Sequence, residues 1–119
     1  MKLCEVQELL QAEVLSREDL LTAETDSCFG GDLMSDVLAF TERGTLLCTS
    51  LTNGQVVRTA DMSELAAVVF VLGKRPAAEV TEAAASSGLV TMTTKRTLFE
   101  ACGILYAGGL RSCCGKEKP

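Results

Sequence analysis

The run Ala66-Ala67-Val68-Val69-Phe70-Val71-Leu72, stopped abruptly by Gly73-Lys74-Arg75-Pro76, constrains this chain more than any other segment. It is too short for a buried helix and carries no polar residue on either face, so it reads as a strand covered on both sides. Strands buried on both faces belong to parallel sheets, and parallel strands are joined by crossovers that are usually helical. The remaining sequence therefore has to supply helices between strands.

It does so in order. Leu3, Val6, Leu9 and Leu10 share one face of a helix predicted over 2–11, and Ser16-Arg17-Glu18-Asp19 then breaks the pattern as a turn. A short strand over 20–24 delivers the chain to a glycine loop, Cys28-Phe29-Gly30-Gly31-Asp32. Beyond it Leu33, Val37 and Phe40, flanked by Met34 and Leu38, form the stripe of a helix that Gly44 ends. Thr45 to Leu51 reads as a strand apolar on both faces, and Asn53 as a helix cap or loop residue. Ala77 to Ser87 is helical with Gly88 at its end, Leu89 to Thr93 is a strand, and Leu98, Cys102 and Leu105 line a last helix over 97–107. Alternating strands and helices define the α/β class. The expected architecture is a single three-layer-like domain over 1–108, with a mainly parallel sheet flanked by helices. Residues 109–119 are expected to be a flexible tail.

Composition narrows the function classes. A net charge of −5, with eleven basic residues scattered along the chain, argues against nucleic-acid binding. No apolar run approaches the roughly 18 residues of a membrane span, and the N-terminus lacks a signal peptide's apolar stretch, so the expected compartment is the cytoplasm. Aromatics are only 4% and Trp is absent, which leaves Leu, Val, Ala, Met and Cys to build the core.

Six cysteines without an export signal argue against a disulfide scaffold. There is no His, and the only close pair is Cys113-Cys114, so a structural zinc site is not expected. An iron–sulfur cluster shared across a dimer through Cys28 or the terminal pair stays open as an alternative, unsupported by spacing, and no cofactor is expected. Cys4, Cys48 and Cys102 sit among apolar neighbours and read as small buried hydrophobes. Cys28, just before the glycine loop and close to a helix start, is the candidate reactive thiol.

Ligands of open parallel sheets bind beyond the carboxyl ends of the strands. Those ends collect the candidate ligand-binding residues Gly30, Gly31, Asp32, Ser35, Asn53, Lys74, Arg75 and Thr94. Glycine backbone, hydroxyls, an amide and cations suit an anion or a nucleotide. The structural alternative makes the glycines a tight turn, Asp32 and Asn53 helix caps, and the cations a solvated loop. A catalytic set is missing: the phosphate-loop pattern ending in Gly-Lys-Ser/Thr is absent, and without His no Ser-His or Cys-His pair exists. Asp32 with Asp36, as an acidic pair or a weak Mg²⁺ site, is the last-ranked catalytic alternative. The chain is not expected to be an enzyme.

Residues 30–38, Gly-Gly-Asp-Leu-Met-Ser-Asp-Val-Leu, resemble the glycine loop and helix start of the DRTGG domain family. The resemblance extends to Glu64-Leu65-Ala66-Ala67, to Gly73-Lys74-Arg75-Pro76 and to Thr97-Leu98-Phe99-Glu100-Ala101-Cys102-Gly103, and so covers most of residues 2 to 108. The naming motif itself is not reproduced at Asp26-Ser27-Cys28-Phe29-Gly30-Gly31. That family is similar to the N-terminal domain of HPr kinase/phosphorylase and also occurs beside CBS or phosphotransacetylase domains. The resemblance implies a non-catalytic sensing or assembly module, commonly oligomeric. With the fold class, the charge and the missing catalytic set, the expectation is a regulatory module that binds a small anionic metabolite, a nucleotide or a protein partner and forms a homo-oligomer such as a dimer. Some stand-alone relatives look like companions of hydrogenase or other redox systems, which implies the alternative of a redox-associated accessory protein with a reactive cysteine or an iron–sulfur site.

Overall fold

The computed structural model describes residues 1–113. Six strands form one sheet in the order β1-β5-β4-β3-β2-β6. They are β1 (Glu13–Ser16), β2 (Ser27–Gly30), β3 (Leu46–Thr49), β4 (Ala67–Phe70), β5 (Val90–Thr93) and β6 (Arg111–Ser112). Every pairing is parallel except that of β1 with β5. The helices are α1 (Leu3–Leu10), α2 (Met34–Phe40), α3 (Gly54–Met62), α4 (Ala78–Ser86) and α5 (Leu98–Ala107), with a 3₁₀ turn at Glu18–Leu20.

Side-chain parity along the strands sorts the core into two layers. Leu46, Cys48, Ala67, Val69, Val71, Val90 and Met92 face Leu3, Val6 and Leu10 of α1 and Ala101 and Leu105 of α5. Leu47, Val68 and Phe70 face Met34 and Val37 of α2, Val56, Val57 and Ala60 of α3 and Ala84 of α4. The expected α/β class and mainly parallel sheet are what the chain forms, and β4 lies inside the sheet with all four residues buried. After β5, α5 crosses back beneath the sheet to contact β2 and β3, and β6, the last strand among the described residues, lies on the far side of β2.

Several local expectations need correction. The strand entering the glycine loop is Ser27–Gly30, not 20–24, where the 3₁₀ segment Glu18–Leu20 ends and a turn follows; the loop's first glycine is thus a strand residue. β1 has no counterpart in the sequence reading. It is a four-residue edge strand with a register irregularity, held by Ser16 Oγ, which donates to the Leu89 carbonyl at 2.8 Å and pairs with Thr91 Oγ1 at 2.6 Å. In α2 the buried face is Met34 and Val37, while Leu33 is 61% exposed at the N-cap. The expected tail begins inside the domain, since Leu110 is buried and Arg111–Ser112 pair with β2. Cys114 and the rest of 114–119 lie outside the described residues.

Candidate functional site

Strands β2 to β5 are parallel, so their carboxyl ends open onto one edge. The expected ligand residues do not converge there. Gly31 N–H donates to the Cys48 carbonyl at 3.0 Å, continuing the ladder instead of cradling an anion. Asp32 is not the cap of α2. Its Oδ1 accepts from Thr49 Oγ1 at 2.7 Å and from the Ser50 N–H at 2.8 Å, and its Oδ2 accepts from Ser50 Oγ at 2.7 Å. Partial burial pushes the Asp32 carboxyl upward, but the bonds from Ser50 and Thr49 together with the Lys74 charge outweigh it and hold the group below its ordinary value. Asn53 caps α3 by accepting from the Gln55 N–H at 3.0 Å, and Ser35 lies exposed in the first turn of α2. The cap reading therefore holds for Asn53, while Gly31 and Asp32 are engaged by β3 and the residue that follows it.

Arg75 and Thr94 do meet, in a cavity of about 410 Å³ lined also by Leu10, Gln11, Glu13, Gly73, Thr93, Lys95 and Arg96. Its walls are tied together by main chain. The Leu72 N–H donates to the Arg96 carbonyl and the Gly73 N–H to the Thr94 carbonyl, both at 2.8 Å. Leu72 and Gly73 take left-handed conformations, with φ of 62° and 67°, to make that turn. For leucine this is an uncommon backbone state held by its surroundings. Thr94 Oγ1 donates to the Leu10 carbonyl at 2.8 Å and Thr93 Oγ1 to the Lys74 carbonyl at 2.7 Å, fixing both loops against the sheet. Arg75 forms a two-pronged pair with Glu13, and the guanidinium holds the Glu13 carboxyl below the usual range. Among the described residues Lys74, Lys95 and Arg96 form no ion pair within 4.0 Å.

A second cavity, about 530 Å³, opens on the other side of β2 and is lined by Cys28, Gly30, Cys102, Tyr106, Leu110, Arg111 and Ser112. At its base the Sγ atoms of Cys28, Cys48 and Cys102 all lie within 4.8 Å of one another, with Cys28 and Cys48 at 3.8 Å. The strand register explains the meeting. Gly30 pairs with Cys48 and Cys28 with Leu46, so both thiols stand on the face that α5 crosses. Gly30 makes room for the third: a Cβ there would sit 2.5 Å from Cys102 Sγ. This close approach, rather than a phosphate cradle, is what requires glycine at position 30.

Cys28 lies within β2, not at a helix start, and is not the easily ionised thiol. Its hydrogen bond to Cys102, with burial adding, pushes it up to about 12. Cys48 is raised for the same reasons. Cys102 moves the other way, because its sulfur accepts from both neighbours and a thiolate there is stabilised. Reading Cys48 and Cys102 as buried hydrophobes thus missed two members of a cluster. The available signal was parity, since Cys28, Gly30, Leu46 and Cys48 share one face once β2 and β3 are adjacent.

A mainly parallel sheet with a helix layer on each face and an antiparallel first edge strand makes this chain an α/β domain of DRTGG-like fold. One solved structure to which it is similar is that of the CBS and DRTGG domains of the regulatory region of Clostridium perfringens pyrophosphatase, complexed with the activator diadenosine tetraphosphate. The TM-score is 0.73 at 14% identity, covering 98% of this chain and 51% of that one. This chain therefore spans about half the length of that structure. No family model and no curated protein matches the sequence.

Proposed function

We propose that this domain is a non-catalytic regulatory module that senses a small anionic ligand of the nucleotide or phosphorylated-metabolite class in the cavity between the β4 and β5 loops. The observation that carries the reading is the convergence of Arg75, Lys95 and Arg96 on one cavity of about 410 Å³ at the carboxyl ends of parallel strands, in a chain of net charge −5. The volume falls in the range of small-molecule sites, roughly 300–1,000 Å³. Phosphate oxygens would take charge-assisted hydrogen bonds from Lys95 and Arg96, and Arg75 would exchange its Glu13 partner for the ligand. The likeness to a regulatory region that binds diadenosine tetraphosphate supports the class of function. No helix among the described residues is long and apolar enough to cross a membrane.

The domain also self-associates in this reading, through the outer face of α5, where Phe99 is 88% and Tyr106 73% exposed one heptad apart. Isothermal titration with adenine mono-, di- and triphosphates and diadenosine tetraphosphate tests the ligand reading. Heat of binding that weakens with added salt and is lost in Lys95→Ala/Arg96→Ala supports it. Absence of heat with every compound overturns it.

A further inference from the structure

We propose that Cys28, Cys48 and Cys102 form a binding site for one thiophilic d¹⁰ metal ion, Cu⁺ or Zn²⁺, held by three thiolates at the base of the second cavity. The three sulfurs arrive from three separate elements, β2, β3 and α5, which no single buried-cysteine preference would bring together. Their spacing suits one ion. Two thiolates about 2.3 Å from a tetrahedral metal stand roughly 3.8 Å apart, and Cys28 and Cys48 are already 3.8 Å apart with the third sulfur inside 4.8 Å. No disulfide joins these three residues.

The donor set decides the class of metal. It holds no carboxylate, and the chain has no His, so hard ions such as Mg²⁺ and Ca²⁺ find no ligand there, while thiolates select soft ions. Gly30 preserves the space that Cys102 Sγ occupies, and the cavity above the thiols gives the ion a way in and room for a solvent ligand on a four-coordinate Zn²⁺. Arg111 lines the same cavity and offsets the excess negative charge that three thiolates leave on either ion. Each thiol that ligates releases its proton to solvent, so apparent affinity rises with pH. None of these groups belongs to the cation-lined cavity, and the two proposals stand or fall separately.

The test is anaerobic titration of the reduced full chain with Co²⁺, the coloured stand-in for Zn²⁺, and separately with Cu⁺ under a competing chelator. Saturation at one ion per chain, with a sulfur-to-metal charge-transfer band, is expected for at least one of them, and which metal binds tighter identifies the ion. Cys102→Ser should weaken that binding by at least about 100-fold while leaving the melting temperature nearly unchanged, since Cys102 is only half-buried; Cys4→Ser should change neither. Metal should also shield Cys102, but not Cys4, from iodoacetamide in the unaltered protein, a readout that needs no variant to fold. No charge-transfer band with either ion, equal affinity in Cys102→Ser, or unchanged alkylation of Cys102 would overturn the assignment.

Discussion

Gly30→Ala tests the packing that holds the thiols together. An added Cβ meets Cys102 Sγ at 2.5 Å, where ordinary contact begins at 3.4 Å, so the sulfur or the strand must yield by about 0.9 Å. The Leu98 side chain, at 3.5 Å, can stay in place. Overpacking of this kind costs about 1–3 kcal/mol, and for a domain of this size the melting temperature should fall by about 5–15 °C. The backbone at Gly30 is not left-handed, so alanine carries no conformational penalty and even gains about 0.5 kcal/mol by restricting the unfolded chain. The cost should therefore depend on the sulfur alone. In a Cys102→Ala background Gly30→Ala should become neutral or slightly stabilising, giving a coupling of about 1–3 kcal/mol in a double-mutant cycle followed by circular dichroism. Equal losses in the two backgrounds would show that Cys102 Sγ is not the obstacle and place the constraint in the backbone of β2 and its neighbours.

Three further outcomes follow from named contacts. Asp32→Asn should cost about 1 kcal/mol at neutral pH in urea unfolding, because one acceptor oxygen of a three-bond bridge becomes a donor. The Asp32 carboxyl is held below its ordinary value of 3.8, so the carboxylate's contribution is present above that pH and disappears as pH falls through the lower folded value; the gap between wild type and Asp32→Asn should narrow in acid, and a gap that widens would contradict the bridge. Thr97→Ala breaks the capping box in which Thr97 Oγ1 accepts from the Glu100 N–H at 3.1 Å and Glu100 Oε1 from the Thr97 N–H at 2.9 Å, and should destabilise the fold by about 1 kcal/mol in the same assay. Phe99→Ser should shift the protein to monomer in sedimentation equilibrium while the circular dichroism spectrum stays native, because the ring is 88% exposed within one chain.

Much of the fold was legible because it depends on local patterns. The unbroken apolar run at 66–72 could only be a strand covered on both faces, and the Leu46-Leu47-Cys48 segment buries both of its faces as its composition requires. The glycine loop misled for a physical reason: Gly30 sits in a strand because a sulfur 72 residues away occupies the space of its Cβ, and that demand is invisible until α5 is laid under β2. Asp32 looked like a cap, but two hydroxyls and an N–H from the end of β3 compete for it and win. β1 was missed because four residues on an antiparallel edge carry little periodicity of their own. The thiol cluster follows from sheet order, which period-two and period-3.6 patterns do not encode. Lys95 and Arg96, absent from the expected ligand set, reach the cavity because the Gly73 and Thr94 loops are tied across β4 and β5.

In the proposed function the cavity between those two loops holds the anionic ligand. Amide chemical-shift mapping during titration with diadenosine tetraphosphate tests it most directly. Saturable shifts are expected at Gly73, Arg75, Lys95 and Arg96, with Asp32, Asn53 and the residues around Cys28 little changed. Shifts confined to the region around Cys28 and Arg111, or no saturable shift anywhere, would contradict it.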